Sequence, residues 1–228
     1  MTHFQRTYLP AAGKHWRLPL YDTLANLLGA SRARRLLARH VSCKPGTRIL
    51  EVGCGTGELI LLLKRAHPDG VFIGLDPDAN ALERANRKAR RAGVSVRFDQ
   101  GFAEAMPYPD AHFDRAVSSF VFHHLTLESK RRMLREVRRV LRPGAPFDML
   151  DLAGPSPDGR GFPAQRVFLA HLKDNDEERV LELMSDAGLV QLTIESRLST
   201  CLIEVVCYGA RAPERHSGTA REGSTVHR

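Results

Sequence analysis

The sequence predicts an α/β fold with a doubly wound, mostly parallel sheet of seven strands. Short apolar segments alternate with amphipathic helical segments, which is typical of parallel strands joined by crossover helices. A Gly-rich turn at 53–57 separates the first strand from the helix that follows it. The last two strand patterns are separated only by Ser199 and Thr200, so we expect the last strand to run antiparallel.

The pattern divides the chain into three regions. Residues 1–46 show helical patterns broken by Pro and Gly and are predicted to form an N-terminal helical cap or lid. Residues 47–209 carry the alternating strands and helices and are predicted to form the main domain. Residues 210–228 are polar without apolar periodicity, which indicates a disordered tail.

Each predicted element of the main domain is bounded by residues that start or stop it. His67-Pro68 ends the first helix, Gly93 ends the second, and Thr126 is the predicted cap of the third. The predicted strands are 48–52, 71–75, 94–98, 114–119, 145–151, 189–198 and 201–208. The predicted helices are 58–66, 79–92, the segment between Thr126 and Pro143, and 176–187.

The composition fits a globular protein. The chain of 228 residues is 43% hydrophobic, which is enough to form a core. It has neither the roughly 18 apolar residues of a membrane span nor the pattern of a signal peptide, so we expect a cytoplasmic protein. The net charge is +8, and the segment 130–142 is especially basic. Its apolar residues recur at helical spacing, which favours a solvated helix face over a nucleic-acid partner.

The motif EVGCGTG after the first strand has the composition of a ligand-binding loop. Gly53, Gly55 and Gly57 can adopt tight-turn dihedrals and let a ligand lie against bare backbone, and amides of the following helix supply donors. Glu58 stands where a dinucleotide-binding motif has its third glycine, and its carboxylate would repel a pyrophosphate. This disfavours a nicotinamide-dependent oxidoreductase and favours a cationic ligand, whose ammonium group Glu51 is suited to bind.

Asp76 is the second candidate ligand residue. It ends the second strand, at the distance from the Gly-rich turn where an acidic residue binds both ribose hydroxyls in nucleotide-binding folds. Taken alone, an Asp before Pro77 also fits a turn or a helix cap. Its combination with the Gly-rich turn favours a site for an adenosyl ligand.

Three segments of the chain resemble one known family. They are ILEVGCGTGELILLLKRAHPDGVFIGLDPDANALERANRKARRAG, QGFAEAMPYPDAHFDRAVSSFVFHHL and LREVRRVLRPGAPFDMLD, and together they cover about residues 47–151. They are similar to class I S-adenosylmethionine-dependent methyltransferases, in particular to the small-molecule branch that includes ubiquinone and menaquinone C-methyltransferases. The resemblance implies a Rossmann-like fold for the domain 47–209, S-adenosyl-L-methionine as cofactor and S-adenosyl-L-homocysteine as product.

The resemblance also implies positions for the methionine and ribose parts of the cofactor. The three glycines of the turn would lie along them with Glu51 nearby, and Asp76 would bind the ribose hydroxyls. Ser118 and Ser119, after the fourth strand, would lie beside the methionine part. Tyr21 belongs to a Tyr-Asp pair like those of this branch and would close over the sulfonium.

The adenine side departs from the family pattern. Pro77 would lie against the adenine, but the common Gly-Asp-Ala after the third strand is replaced here by Gly101, Phe102 and Ala103. Phe102 is then expected to cover the ring by packing. The polar contact to the adenine amino group is left to Asp99, Gln100 or a backbone group.

Catalysis by this family asks little of the protein, because a sulfonium is already an activated methyl donor. Holding the acceptor in line with it lowers the barrier by roughly 7–11 kcal/mol. A general base is needed only where the acceptor loses a proton. His123 and His124, just after the fourth strand, are the candidate bases, although either also fits a packing or capping role. His171 is a weaker candidate.

The acceptor is expected to bind between residues 1–46 and 152–175, beyond the carboxyl ends of the strands. An apolar or aromatic small molecule fits this setting. An RNA or DNA methyltransferase is one alternative, but base-modifying enzymes commonly have Asn or Asp, Pro-Pro and an aromatic residue where this chain has Ser118-Ser119-Phe120. A module that binds the cofactor without catalysis is the other. The methylated atom and the oligomeric state stay open.

Overall fold

The computed structural model describes residues 29–154, 174–199 and 204–214. The predictions for Tyr21 and His171, and for most of the cap and the tail, lie outside these residues. The described helices are α1 (Ala30–His40), α2 (Glu58–Ala66), α3 (Ala79–Arg91), α4 (Leu127–Val140) and α5 (Glu177–Asp186), with a 3₁₀ turn at Phe122–His124. The strands are β1 (Arg48–Val52), β2 (Val71–Asp76), β3 (Arg97–Gln100), β4 (Arg115–Ser119), β5 (Pro146–Leu152), β6 (Val190–Ser199) and β7 (Glu204–Arg211). None of the described helices is long and apolar enough to cross a membrane.

The strands form one sheet in the order β3-β2-β1-β4-β5-β7-β6. The pairs among β1 to β5 are parallel, and β7 runs antiparallel to both β5 and β6. This confirms the predicted Rossmann-like sheet with its antiparallel last strand. The chain leaves β1 toward β2 on one side and returns to β4 on the other, which is the topological switch point where ligands bind in such sheets.

Two clusters of buried residues cover the two faces of the sheet. Successive residues of β1 point to opposite faces, so that Leu50 lies with Val137 of α4 in one cluster and Ile49 lies in the other. Ala33 and Leu37 of α1 pack in the same cluster as Ile49. The helix α1, which falls in the predicted cap, therefore belongs to the packed body of the domain.

The third strand begins later than predicted, at Arg97 instead of residue 94. The reason lies at the end of α3, where Gly93 adopts a φ of +64°. The amide of Val94 donates to the carbonyl of Ala89, which closes the last turn of the helix. The amide of Val94 therefore belongs to the end of α3 and does not pair with β2. The start of β3 that the alternating apolar residues predicted was wrong by three positions.

The last strand also differs from its prediction. It runs from Glu204 to Arg211 and so extends into the stretch assigned to the tail from residue 210. Ala212 is 3% exposed, and its amide donates to the carbonyl of Ala145 at 2.9 Å. The boundary of the tail at residue 210 was therefore wrong, because the backbone pairing with β5 continues past the apolar pattern.

The arginines of α4 lie on the outside of the helix. Its buried apolar residues are Met133, Leu134, Val137 and Val140. Arg132 pairs with Glu128, and Arg139 pairs with Glu136. The predicted solvated face of this helix is confirmed, with the exception of Lys130, which is buried.

The core around β5 can be tested at Phe147. This residue is fully buried and lies between Ala116 of β4 and Ala210 of β7 in the strand register. Phe147→Ala leaves a cavity and is expected to lower the free energy of unfolding by about 3–5 kcal/mol in urea titrations. Val71, which is 46% exposed, is the control, and Val71→Ala is expected to change it by about 0.5 kcal/mol or less. A loss below about 1 kcal/mol for Phe147→Ala would contradict the position of β5.

Candidate active site

The Gly-rich turn 53–57 crosses the carboxyl edge of the sheet between β1 and α2. The amides of Gly53 and Cys54 donate to the carbonyl of Leu75 at 2.7 and 3.0 Å, which ties the turn to β2. Gly57 precedes the first residue of α2 with a φ of +83°. The turn therefore has a fixed path, and the free amides of the first turn of α2 begin at the same edge.

Two glycines of this turn have different structural reasons to be glycine. Gly53 has a φ of +70°, and a Cβ there would collide with the side chain of Val121. Gly55 has a φ of +51°, but in the part of the chain that the structure describes no heavy atom lies within 4 Å of where its Cβ would be. Space is thus open above Gly55, as a ligand that lies against the backbone of the turn requires.

Asp76 ends β2 directly beside the turn. Its Oδ2 accepts a hydrogen bond from the amide of Gly55 at 2.8 Å, and its Oδ1 accepts one from the amide of Asp78 at 2.9 Å. Burial raises the pKa of Asp76 to about 6, so the carboxyl is mostly ionised at neutral pH. Asp76 therefore holds the turn in place and keeps lone pairs for a hydroxyl donor.

Glu51 lies within β1 and is 1% exposed. Its Oε1 accepts a hydrogen bond from the hydroxyl of Ser119 at 3.4 Å, whereas its Oε2 is buried and has no hydrogen-bond partner among the described residues. Burial raises the pKa of Glu51 to about 8. The carboxyl is therefore mostly protonated at neutral pH, and a cationic group at this edge would stabilise its ionised form.

The residues predicted for the adenine lie at the end of β2 and β3. The side-chain amide of Gln100 donates to the backbone carbonyl of Pro77 at 3.1 Å. The backbone amide of Gly101 donates to the backbone carbonyl of Asp76 at 3.1 Å. Phe102 follows directly and is half-buried. Asp99 already accepts hydrogen bonds from Arg97 and Tyr108, so neither Asp99 nor Gln100 has a side chain without partners.

Ser118 and Ser119 end β4 and differ in what their hydroxyls contact. The hydroxyl of Ser118 is fully buried and donates to the carbonyl of Val52 at 3.0 Å, within the sheet. The hydroxyl of Ser119 faces Glu51 instead. Of the two serines, Ser119 is therefore the one whose hydroxyl contacts the carboxyl group of Glu51.

His123 is held by a buried carboxylate that the sequence analysis missed. Its Nδ1 lies 2.6 Å from Oδ1 of Asp151, near the end of β5, and the side chain of His123 is 8% exposed. Burial alone would raise the pKa of Asp151, but the facing His123 and donated amide hydrogen bonds hold the pKa below its usual range. In the tautomer with its proton on Nδ1, the imidazole donates that proton to Asp151 in a hydrogen bond, and Nε2 keeps its lone pair.

Asp151 also fixes the backbone around His123. Its Oδ2 accepts hydrogen bonds from the amides of Val121 and Phe122 at 3.1 and 2.8 Å. Behind it, Asn175 donates to the carbonyl of Leu152 at 2.7 Å. The signal in the sequence was an aspartate at an otherwise apolar strand end, which carries no information about its partner.

A buried lysine completes this group of residues. Lys130 of α4 donates from Nζ to Oδ1 of Asn175 at 2.7 Å, and its Nζ lies 5.0 Å from the ring centroid of Phe122. His124 is exposed, and its ring centroid lies 4.0 Å from that of His123. Of the two predicted bases, His123 is the one whose contact with the buried Asp151 carboxylate is described above.

Glu58 has a partner at the start of α2. Its Oε1 accepts a hydrogen bond from Nζ of Lys88 at 2.5 Å, and the same Nζ donates to Thr56 at 2.8 Å. The carboxylate still occupies the position where a dinucleotide-binding motif needs glycine. Lys88 compensates the charge of Glu58, so what separates this turn from a dinucleotide-binding motif is the missing third glycine.

The sheet order and the turn define the class of protein. A parallel sheet with an antiparallel seventh strand, a glycine turn after β1 and an acidic residue after β2 is an adenosyl-cofactor domain of the Rossmann-like type. Residues 49–144 match the model of a methyltransferase domain family.

Known proteins extend this match beyond the domain. The chain is 35% identical over 153 residues to a demethylmenaquinone methyltransferase of Thermus thermophilus, covering 66% of this chain and 68% of that protein. It is 35% identical over 158 residues to a 2-phytyl-1,4-naphtoquinone methyltransferase of Synechococcus elongatus, covering 66% of each. The chain thus spans about two thirds of these relatives.

The fold is shared with a solved structure as well. The YcgJ protein of Bacillus subtilis superposes with a TM-score of 0.68 at 20% identity, covering 81% of this chain and 99% of that one.

The chain belongs to the class I S-adenosylmethionine-dependent methyltransferases. It is accordingly an enzyme that uses S-adenosyl-L-methionine.

The open space above Gly55 can be tested with a matched pair of variants. Gly55 and Gly93 have φ values of +51° and +64°, and neither has a heavy atom within 4 Å of a Cβ. Gly55→Ala and Gly93→Ala are each expected to cost about 1 kcal/mol of stability, because both place an L side chain at positive φ. Only Gly55→Ala is expected to weaken S-adenosylhomocysteine binding in calorimetric titrations, since its methyl group occupies ligand space. Equal affinities in the two variants would contradict this location of the site.

Proposed function

We propose that the protein transfers the methyl group of S-adenosyl-L-methionine to a ring carbon of a hydroquinone-type small molecule, such as a 1,4-naphthohydroquinone with an apolar side chain. The observation that carries this proposal is the position of the His123–Asp151 pair at the same sheet edge as the Gly-rich turn. The side chain of Val121, two residues before His123, lies against Gly53 of the turn. The names of the two relatives supply the acceptor class, because both act on naphthoquinone-type molecules by name.

The cofactor is assigned to the turn on the fit of the residues present. Gly55 offers open space, Asp76 offers carboxylate lone pairs for the ribose hydroxyls, and Glu51 offers an unpartnered oxygen for an ammonium group. Pro77 and Phe102 are assigned to the two sides of the adenine. The proposed role of Tyr21 over the sulfonium rests on the resemblance alone.

His123 is assigned the role of general base. When bound, S-adenosyl-L-methionine supplies the methyl group as an activated sulfonium and leaves as S-adenosyl-L-homocysteine. His123 takes a hydroxyl proton of the hydroquinone through Nε2, which raises the electron density on the ring carbon that forms the new bond to the methyl carbon. The displaced ring hydrogen leaves as a proton, one hydroxyl proton is restored, and the net products are methylated hydroquinone and one proton. Asp151 stabilises the imidazolium formed in this step.

The role of Asp76 can be tested by removing its charge. Asp76→Asn is expected to weaken cofactor binding by roughly 10–100-fold at pH 7.5, because hydrogen bonds to a charged group contribute about 1.5–3 kcal/mol. Asp78→Asn is the control, since Asn caps α3 as well as Asp does and leaves the proposed ribose site intact.

The pH dependence gives a second readout for the same variant. The pKa of Asp76 is about 6, so the wild-type carboxyl gains a proton as the pH falls below that value. Wild-type affinity should then fall toward that of Asp76→Asn, and the difference between them should shrink. An affinity for S-adenosylhomocysteine that is unchanged in Asp76→Asn at pH 7.5 would overturn the assignment.

The reaction can be tested with methyl-labelled cofactor and a 1,4-naphthohydroquinone kept reduced. Label is expected on the ring carbon of the product, and His123→Gln is expected to lower kcat by roughly 10²–10⁴-fold without weakening cofactor binding. Asp151→Asn should also lower kcat, because a neutral amide no longer fixes the proton on Nδ1. His124→Gln separates the two predicted bases, and a loss confined to that variant would contradict the role of His123. Label in RNA instead of the hydroquinone would contradict a small-molecule acceptor.

A further inference from the structure

Two buried side-chain atoms, one of a basic residue and one of an acidic residue, lack hydrogen-bond partners at the same edge of the sheet. Among the described residues, Nε of Arg34 and Oε2 of Glu51 are buried without any hydrogen bond. Buried polar atoms of folded proteins are almost always partnered, and a charged group without a partner is especially costly. A ligand with both an ammonium and a carboxylate group would supply a partner for each of these two atoms.

Arg34 reaches this edge from α1. Its guanidinium carbon lies 5.0 Å from the ring centroid of Phe120, the residue that directly follows β4. That distance is within the range of a cation–π contact, which places the charge over the end of β4. Ser119, the residue before Phe120, is the one whose hydroxyl faces Glu51.

The charges of Arg34 and Glu51 also influence each other. The positive charge of Arg34 lowers the pKa of Glu51 and so opposes the larger effect of burial. The two side chains are nevertheless not joined by a hydrogen bond through Arg34 Nε or Glu51 Oε2, since both atoms are unpartnered. The two side chains are therefore close enough for an electrostatic interaction, and each has one polar atom without a hydrogen-bond partner among the described residues.

An α-amino acid group matches this arrangement. It carries an ammonium and a carboxylate on one carbon, and arginine binds carboxylates with directed N–H donors. The proposed function already assigns the ammonium of the cofactor to Glu51. We propose that Arg34 binds the carboxylate at the methionine end of the cofactor, an inference that rests on the proposed function.

This role gives α1 a part in cofactor binding. The helix is packed on the sheet through Ala33 and Leu37, on either side of Arg34 in the sequence. The backbone that carries Arg34 is therefore fixed before any ligand binds, which reduces the entropy lost on binding. Arg35 is exposed on the same helix and is not part of this site.

The test compares two ligands that differ only in the carboxylate. S-adenosylmethionine carries it, and decarboxylated S-adenosylmethionine keeps the sulfonium and the ammonium but lacks it. Arg34→Gln is expected to weaken binding of S-adenosylmethionine by roughly 10–100-fold in calorimetric titrations, the range of a charged hydrogen-bond pair. Its affinity for the decarboxylated ligand should be equal to or higher than that of the wild type, because a repelling positive charge has been removed.

Two further variants complete the comparison. Arg35→Gln is the matched control and should leave both affinities unchanged. Glu51→Gln should weaken both ligands, because both carry the ammonium group.

Two outcomes of these titrations would overturn the proposed role of Arg34. Equal losses for both ligands in Arg34→Gln would show a structural role for Arg34 and overturn the proposal, as would no loss for either. Binding of the decarboxylated ligand also reports that the variant is folded. A wild-type protein that binds neither ligand would contradict the proposed function itself, and this assignment with it.

Discussion

Three carboxyl groups lie buried or half-buried at one edge of an apolar sheet, and the structure around the site depends on how each is compensated. Glu51, Asp76 and Asp151 lie in or at the ends of β1, β2 and β5, whose parallel directions bring them to the same edge. An ionised carboxylate loses several kcal/mol of hydration when buried, so it needs donors or cations nearby. Asp76 and Asp151 take theirs from backbone amides, and this holds the Gly-rich turn and the loop around His123 in place. One oxygen of Glu51 has no hydrogen-bond partner among the described residues, and we propose that the ammonium group of the cofactor binds there.

Most of the fold could be predicted because its local signals agree with one another. The strand, glycine turn and helix at 48–66 were predicted with the observed boundaries, since apolar periodicity and helix stops coincide there. The errors arose where a backbone amide had a partner that the side-chain pattern does not reveal. Val94 closes α3 instead of starting β3, and β7 continues to Arg211 through pairing with β5.

The candidate site was predictable only in part, for a related reason. The glycines and Asp76 carry information in their spacing along the chain, and the turn and Asp76 do meet in space. The spacing of Asp151 and Arg34 along the chain carries no such information, because their roles depend on residues that are distant in the sequence. His123 meets Asp151 only because β4 and β5 are adjacent in the sheet, and Arg34 reaches the site only through the packing of α1. Such contacts follow from the assembled fold and cannot be read from local sequence.

The protonation of Glu51 tests the account most directly. With carbon-13 labelled glutamate, the carboxyl signal that disappears in Glu51→Gln can be followed by NMR as a function of pH. The expected pKa in the free protein is about 8, because the carboxyl is buried and one oxygen has no hydrogen-bond partner among the described residues. Saturation with S-adenosylhomocysteine should lower it, since the ammonium group stabilises the ionised form. A pKa close to the ordinary value of 4.5 in the free protein, or one that the ligand does not lower, would contradict the central role of Glu51.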